Sequence, residues 1–306
     1  MGRTEASEGV YGAPDRELAQ VAAGARQLSP LVPGAEVLED LANASLDRLV
    51  IAAPPGALEH RYVLAQGLRV LKTGGELIAL APKAKSGSRL RKTLEGFGCA
   101  VEETARRHQR ICHVRRPKAC AGLEGAIAEG ALQRVPSLGL WSQPGIFSWD
   151  RIDPGSAALI AALPDLSGRG ADLGCGVGVL VRSVLTSPEV TALILIDIDS
   201  RAIAAARRNV DDPRAAFVQQ DLRETGPAPA NLDFVVMNPP FHDAGAENRT
   251  LGQTFIRRAA AMLRRGGVCH LVANIGMPYE GVLNEHFRQV TPLGQTHGYK
   301  LFEARK

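Results

Sequence analysis

Two runs, Ala192-Leu-Ile-Leu-Ile-Asp197 and Phe234-Val-Val-Met-Asn238, are apolar without a break over the length of a strand, and each closes on one polar residue. A strand exposed on one face alternates apolar and polar side chains. A strand covered on both faces, as inside a parallel sheet, does not. Segments of helical periodicity separate such runs: 179–185, the alanine-rich 201–209, and 254–263, which halts at Arg265-Gly266-Gly267, a helix C-terminus signal. Short strands are expected around Ala171-Asp-Leu-Gly174, at 216–219 and at 268–273. A helix over 278–289 and two strands near 290–296 and 299–304 close the chain, the last pair as an antiparallel hairpin on the sheet edge. Strands alternating with helices specify the α/β class with a parallel sheet.

The first half repeats part of this grammar. Leu49-Val-Ile-Ala-Ala-Pro-Pro-Gly56 can be laid over Phe234-Val-Val-Met-Asn-Pro-Pro-Phe241, and Arg69-Val-Leu-Lys-Thr-Gly-Gly-Glu-Leu-Ile-Ala-Leu80 over Ala261-Met-Leu-Arg-Arg-Gly-Gly-Val-Cys-His-Leu-Val272. Strand, Pro-Pro turn, helix, Gly-Gly turn and strand follow in the same order, so an internal duplication is expected. The copies differ where chemistry would sit: Ala53 answers Asn238, Gly56 answers Phe241, and nothing in the first copy matches the glycine loop described below. The first copy reads as a scaffold.

Length fits this division. A chain of 306 residues suits two domains, and 45% hydrophobic with 22% charged residues is an ordinary globular balance. Residues 1–118 are expected as the degenerate copy, 119–140 as a connector rich in small residues with some helical character, and 141–306 as the complete one. The opening MGRTEASEGVYGAPDRE carries no charged and apolar leader and reads as a polar tail. No apolar run is long enough to span a bilayer. The five cysteines, Cys99, Cys112, Cys120, Cys175 and Cys269, are odd in number without a CxxC pair, which disfavours a disulfide framework or zinc site and favours a reducing, cytoplasmic setting.

Charge is concentrated rather than large. Net charge is +4, yet eleven Lys or Arg lie between Lys83 and Lys118 against three acids, Glu95, Glu102 and Glu103. Such a stretch is either a solvated face or a phosphate-binding surface. The second reading makes Lys83, Lys85, Arg89, Arg106, Arg107 and Arg110 candidate nucleic-acid contacts.

Asp172-Leu-Gly174-Cys175-Gly176-Val-Gly178 joins a strand to a helix. Its glycines permit close approach of a ligand to the backbone, and the helix start offers free amides to an anion. The spacing is GxGxG rather than the GxGxxG of dinucleotide folds. An acid ahead of it suits the ammonium of a methionine moiety and would repel a pyrophosphate. Asp197 ends the next strand, where a carboxylate can accept two ribose hydroxyls. Ile198 can pack on adenine. Asp221 can receive the adenine amino group, and Leu222 can form the adjoining wall. Asp199 is expected as a helix cap, His270 as core, and Cys175 as a small loop residue without reactivity. His242 is left unassigned. Together these positions imply S-adenosyl-L-methionine as cofactor.

Asn238-Pro239-Pro240-Phe241 then supplies the rest. An exocyclic amino nitrogen is a poor nucleophile because its lone pair is delocalised into the ring. The Asn238 side-chain oxygen and the Pro239 carbonyl can hold the amino hydrogens and aim that lone pair at a methyl sulfonium. Pro239 and Pro240 stiffen the turn, and Phe241 offers a stacking face to a base. Catalysis would be orientation and proximity.

With these residues in place, the chain resembles the bacterial ribosomal RNA guanine-N2 methyltransferases, above all the two-domain small-subunit enzyme and its large-subunit relative. The resemblance rests on Phe147-Ser-Trp-Asp-Arg-Ile-Asp153-Pro-Gly155-Ser156, on Asn238-Pro-Pro-Phe-His242, and on the tail from Val272-Ala-Asn-Ile-Gly-Met-Pro-Tyr279 through Gly298-Tyr-Lys-Leu-Phe302. It implies two tandem Rossmann-like methyltransferase domains, the first degenerate, shortened and assisting RNA binding, the second transferring methyl groups to guanine N2 in ribosomal RNA. Competing expectations are an adenine-N6 or protein glutamine-N5 methyltransferase, which share the NPPF chemistry, and a non-catalytic RNA-binding or assembly factor. A nicotinamide-dependent reductase is disfavoured by the glycine spacing and Asp172.

Overall fold

The computed structural model describes residues 7–224, 226, 228–240, 242–243, 246–247 and 249–306, with the backbone alone at 242, 243, 246, 247 and 249. The chain divides into two compact units, Met1–Ala131 and Leu132–Lys306.

The first unit contains β1 (Glu8–Tyr11), β2 (Arg26–Gln27), β3 (Leu46–Ala52), α1 (Ala57–Val70), β4 (Leu71–Pro82), α2 (Ser88–Gly96), β5 (Val101–Arg106), β6 (Gln109–Arg115) and α3 (Leu123–Gly130). Its sheet runs β2-β1-β3-β4-β6-β5. Residues 8–11, expected as polar tail, instead form β1, parallel to both β2 and β3. Four residues are too few to show a period, and β1 is held by register with β3 and by a Glu8–Arg48 ion pair of 2.6 Å. Residues 1–6 lie outside the described part. The expected connector at 119–140 is largely folded. Helix α3 packs on α1 so closely that a Cβ at Gly130 would sit 2.3 Å from Tyr62 Cβ, and the boundary between units falls at 131/132.

The second unit begins with the hairpin of β7 (Gln133–Val135) and β8 (Leu140–Ser142). There follow α4 (Pro154–Ala162), β9 (Gly168–Leu173), α5 (Val179–Val184), β10 (Val190–Asp197), α6 (Ser200–Asn209), β11 (Ala215–Gln219) and β12 (Leu232–Met237). A two-residue pair, β13 (His242–Asp243) and β14 (Ala246–Glu247), precedes α7 (Arg249–Met262), β15 (Leu263–Asn274), α8 (Glu280–His286), β16 (Gln289–Thr296) and β17 (Tyr299–Arg305). The sheet order is β11-β10-β9-β12-β15-β17-β16. The last two strands form the expected antiparallel hairpin, and α8 is shorter than expected. Leu193, Leu195 and Ile196 of β10 and Val235, Val236 and Met237 of β12 are fully buried. Both apolar runs therefore sit inside a sheet covered on each face, as their unbroken composition required.

The duplication is visible in three dimensions. Superposing β3 on β12 and β4 on β15 equates the strand orders and leaves β11 without a counterpart among the described residues of the first sheet. β4 and β15 are both twelve residues long with almost the same burial pattern. The Gly-Gly pairs do not end the preceding helices as turns; they lie inside these strands. Gly74 and Gly266 take positive φ values of 77° and 80°, and the pairing with β3 and with β12 shifts register there in both copies.

Candidate active site

The glycine loop emerges from the middle of the second sheet. Gly174, Gly176 and Gly178 have φ of 75°, 52° and 87°, a region that side chains strain to enter. The amides of Gly174 and Cys175 donate to the Ile196 carbonyl at 2.8 and 3.1 Å, and the Gly176 amide donates to Asp197 Oδ2 at 2.8 Å. At the far side, Asn209 Nδ2 donates to the Val177 and Trp141 carbonyls at 2.9 and 2.8 Å, tying loop and hairpin to the end of α6. The loop is thus preformed on β10 and α6.

Asp172 is fully buried, and neither of its oxygens has a hydrogen-bond partner. Burial first, then the nearby Asp197, pushes its pKa well above the carboxylate range. A buried acceptor without a donor is costly, so the position fits a cationic or hydrogen-bonding ligand group. Asp197 Oδ1 accepts from the Asp199 amide at 2.9 Å. Burial raises its pKa to about 6 against the backbone amides that lower it. Each oxygen keeps a further lone pair for a ligand hydroxyl. Asp199 caps α6 through the Arg201 amide, as expected.

Beyond Asp197 the picture departs from a simple adenine pocket. Ile198 is half-buried. Both Asp221 oxygens are taken by Arg223, at 2.8–3.0 Å, and this ion pair lowers the carboxyl pKa. Leu222 is 3% exposed and packs in the core with Ile196, Met237 and Phe255 rather than lining an open wall.

At the end of β12, Asn238 is half-buried and Pro239 buried. Phe241 lies outside the described residues, as does the side chain of His242. The Asn238 amide nitrogen donates to Asp153 Oδ2 at 2.9 Å and to Ser156 Oγ at 3.0 Å. Asp153 is the N-cap of α4, accepting from the Ser156 amide at 2.9 Å, with Pro154 beginning the helix. Sequence reasoning gave Asp153 and Ser156 no role. The Asp-Pro-x-Ser cap was a usable signal for a helix start, but its link to Asn238, 85 positions away, was not.

These elements converge on one open cleft lined by Gly174, Cys175 and Gly176 together with Asp153, Ser156 and Asn238. Asp172, Asp197, Ile198, Asp221 and Leu222 are not among its lining residues. Cys175 is buried with its thiol pKa pushed far up by desolvation, and so is unsuited to nucleophilic work. His270 is 2% exposed within β15, in the core as expected.

The corresponding turn of the first unit is closed by its own side chains. Ser86 Oγ donates to the Ala53 carbonyl at 3.3 Å, His60 Nδ1 to the Pro54 carbonyl at 3.3 Å, and Arg89 to the Pro55 carbonyl. Desolvation lowers the His60 pKa to about 4, so the ring is a neutral plug. Arg89, expected as a phosphate contact, is committed to this turn.

The basic stretch of the first unit is not one surface. Pro82 pairs with Gln109, and Arg106 with the same residue, so Lys83, Arg106 and Arg107 gather at the carboxyl end of β4. Arg115 pairs with Glu76 six positions earlier on β4, roughly 20 Å away at about 3.3 Å per residue, and Arg116 and Lys118 follow it. Arg107 is ion-paired with Glu17 and Asp15, and Arg110 with Glu103 at 2.7 Å. Arg116 donates to the Leu68 carbonyl at 2.6 Å and serves the fold. Lys83, Lys85 and Arg106 are exposed.

Comparison with known proteins agrees with this architecture. A Shewanella pealeana protein named ribosomal RNA small subunit methyltransferase C is 32% identical over 53% of the chain, a match spanning about half (48%) of the relative's length. The Pseudomonas paraeruginosa protein of the same name is 29% identical, covering 92% of this chain and 86% of its own. Among solved structures, a T. thermophilus 16S rRNA N2 methyltransferase (RsmC), in complex with AdoMet and guanosine, matches with a TM-score of 0.79 at 23% identity. That match covers 100% of this chain and 90% of the other. The whole chain thus shares the fold of that protein. The model of the methyltransferase small domain matches residues 137–303, more than half the chain, and the protein is a member of that family.

Proposed function

We propose that the chain transfers a methyl group from S-adenosyl-L-methionine to the exocyclic N2 of a guanine in ribosomal RNA, most directly small-subunit rRNA. The observation that carries the reading is the cleft in which the glycine loop faces an asparagine whose amide nitrogen is already occupied. Small-subunit rRNA methyltransferases among the relatives, and a fold match solved with AdoMet and guanosine, support the choice of substrate.

The residues fit the cofactor. Asp172, buried and unpaired, suits the methionyl ammonium, and Asp197 retains acceptor capacity for ribose hydroxyls. The positive-φ glycines leave room for close approach. Bound there, the cofactor supplies an electrophilic methyl on sulfur. Asn238 Oδ1 and the Pro239 carbonyl accept the amino hydrogens of the target and keep the nitrogen lone pair directed into the cleft. Asp172, Asp197 and the glycine loop would hold the cofactor so that its methyl could be displaced from sulfur onto that nitrogen, the proton lost from nitrogen passing to solvent water at the open cleft. Reaching a stacked base requires its extrusion from RNA, and the exposed Lys83, Lys85 and Arg106 at the carboxyl end of β4 would supply cations for its phosphates. The turn at Arg107 and His108, with φ of 49° and 59°, lies at the same tip, with Arg107 paired to Glu17 and Asp15.

Mass-spectrometric mapping of methylated nucleosides in rRNA from cells with and without the gene, followed by restoration in vitro, tests this. One guanine should lose its N2 methyl group and regain it with the purified chain. Asn238→Ala should bind cofactor within about 3-fold of normal while turnover drops by at least about 100-fold. Unchanged rRNA, or methylation of a glutamine peptide that survives RNase, would reject the assignment.

A further inference from the structure

We propose that Asp153 is a positioning residue that fixes which end of the Asn238 amide faces the cleft. The inference rests on the function just proposed. A side-chain amide has two nearly isosteric ends with opposite hydrogen-bonding character, and only the oxygen end can accept hydrogens from a substrate amino group. Turned over, Asn238 would offer two donors to an NH₂ group and repel it.

The geometry settles the choice. Asp153 Oδ2 lies 2.9 Å and Ser156 Oγ 3.0 Å from the Asn238 nitrogen, so both amide hydrogens have acceptors. A carboxylate only accepts, and a flipped amide would place oxygen against oxygen. Asp153 is itself held from two directions. Its Oδ2 caps α4 through the Ser156 amide, and its Oδ1 accepts from the Tyr299 hydroxyl at 3.3 Å. Tyr299 reaches it because residue 155 is glycine: a Cβ there would sit 2.6 Å from Tyr299 Cε1 and 2.9 Å from Asp153 Oδ2. Residues from α4, β12 and β17 therefore meet around one carboxylate, and their common product is the orientation of Oδ1.

Asp153→Ser separates positioning from folding, because serine remains a good helix cap but is too short to reach Asn238. The expected result is a fall in kcat on the order of 100-fold, with KM for RNA, cofactor Kd and melting temperature nearly unchanged. Asp153→Asn, which can still present oxygen to both the Ser156 amide and Asn238, should stay within about 5-fold of the unaltered chain. Independently of turnover, the side-chain NH₂ resonance of Asn238, assigned by its loss in Asn238→Asp, should be protected from solvent exchange and lose that protection in Asp153→Ser. Full kcat in Asp153→Ser, or parallel loss of kcat, cofactor binding and melting temperature, would overturn the inference. Absence of methyl transfer by the unaltered chain would overturn the proposed substrate alone, since the amide signal reads Asp153 without it.

Discussion

Asp197 is asked to be two things at once. It fastens the glycine loop through the Gly176 amide, and in the proposed reading it receives ribose hydroxyls. Burial lifts its pKa from 3.8 to about 6, so its ionised form is a cost to the free protein. The sign follows: the stability this carboxyl contributes when protonated is present below pH 3.8 and lost as pH rises through about 6. Hydroxyl donors favour the ionised form, so cofactor affinity should weaken as pH falls through about 6. From the ionised fraction of Asp197 alone, Kd should be about 4-fold weaker at pH 5.5 than at 7.5, and Asp172, raised for the same reason, adds to the slope. Calorimetric titration across pH 5–8 checks this. Asp197→Asn should flatten the profile, and an unaltered profile in that variant would remove Asp197 from the cofactor site. At this scale the sequence marked candidates wherever the pattern is local. Asp172, the glycines and Asn238 declare themselves by neighbours one to four positions away. The Asp153–Asn238–Tyr299 contact spans 146 positions and leaves no local mark, and the ion pair of Asp221 with Arg223, two residues on, was not anticipated from its strand-end position.

Among the elements, α7 and α8 meet with unusual closeness. Tyr279 is 1% exposed, and a Cβ at Gly252 would lie 1.8 Å from its hydroxyl oxygen and 2.4 Å from its ring. Gly252→Ala must displace the ring or separate the helices, although alanine favours a helix. A loss of about 1–3 kcal/mol is expected, read as a lower melting temperature with cofactor affinity retained after refolding at low temperature. A stabilised variant would show that Tyr279 has space to move. The buried strands β10 and β12 were readable because unbroken apolar runs have one economical home. β1 was not, since four residues, one of them Gly9, carry no period and gain their place from pairing with β2 and β3. The Gly-Gly segments misled for a related reason. A glycine pair reads as a stop, yet at Gly75 and Gly267 a side chain would strike neighbouring carbonyls at 2.8 and 2.9 Å, so the glycines allow strands to pass.

For the whole chain, the basic stretch must be read by its position on the first sheet rather than by its count. Lys83→Glu with Arg106→Glu, at the carboxyl end of β4, should weaken binding of an rRNA fragment at least about 10-fold and lower the salt slope by about 1 per residue replaced. Arg115→Glu with Lys118→Glu, at the opposite end, should change affinity by less than about 2-fold. Fluorescence anisotropy over a salt series measures both, and equal losses would mean that neither end is the platform. The two-unit plan was evident from the Pro-Pro and Gly-Gly echo. That Arg89, Arg110 and Arg116 spend their charge inside the unit was not, because composition does not say which cations are already matched.

The three carbonyls of the first Pro-Pro turn, each satisfied from within by Ser86, His60 or Arg89, bear on how such a chain evolves. A duplicate that merely lost its asparagine could regain it in one step. Here Ala53 stands where the second unit has Asn238, and an asparagine placed there would meet a turn whose carbonyls already have donors. A single substitution at 53 would therefore not copy the second turn, because the neighbouring side chains of Ser86, His60 and Arg89 would also have to let go.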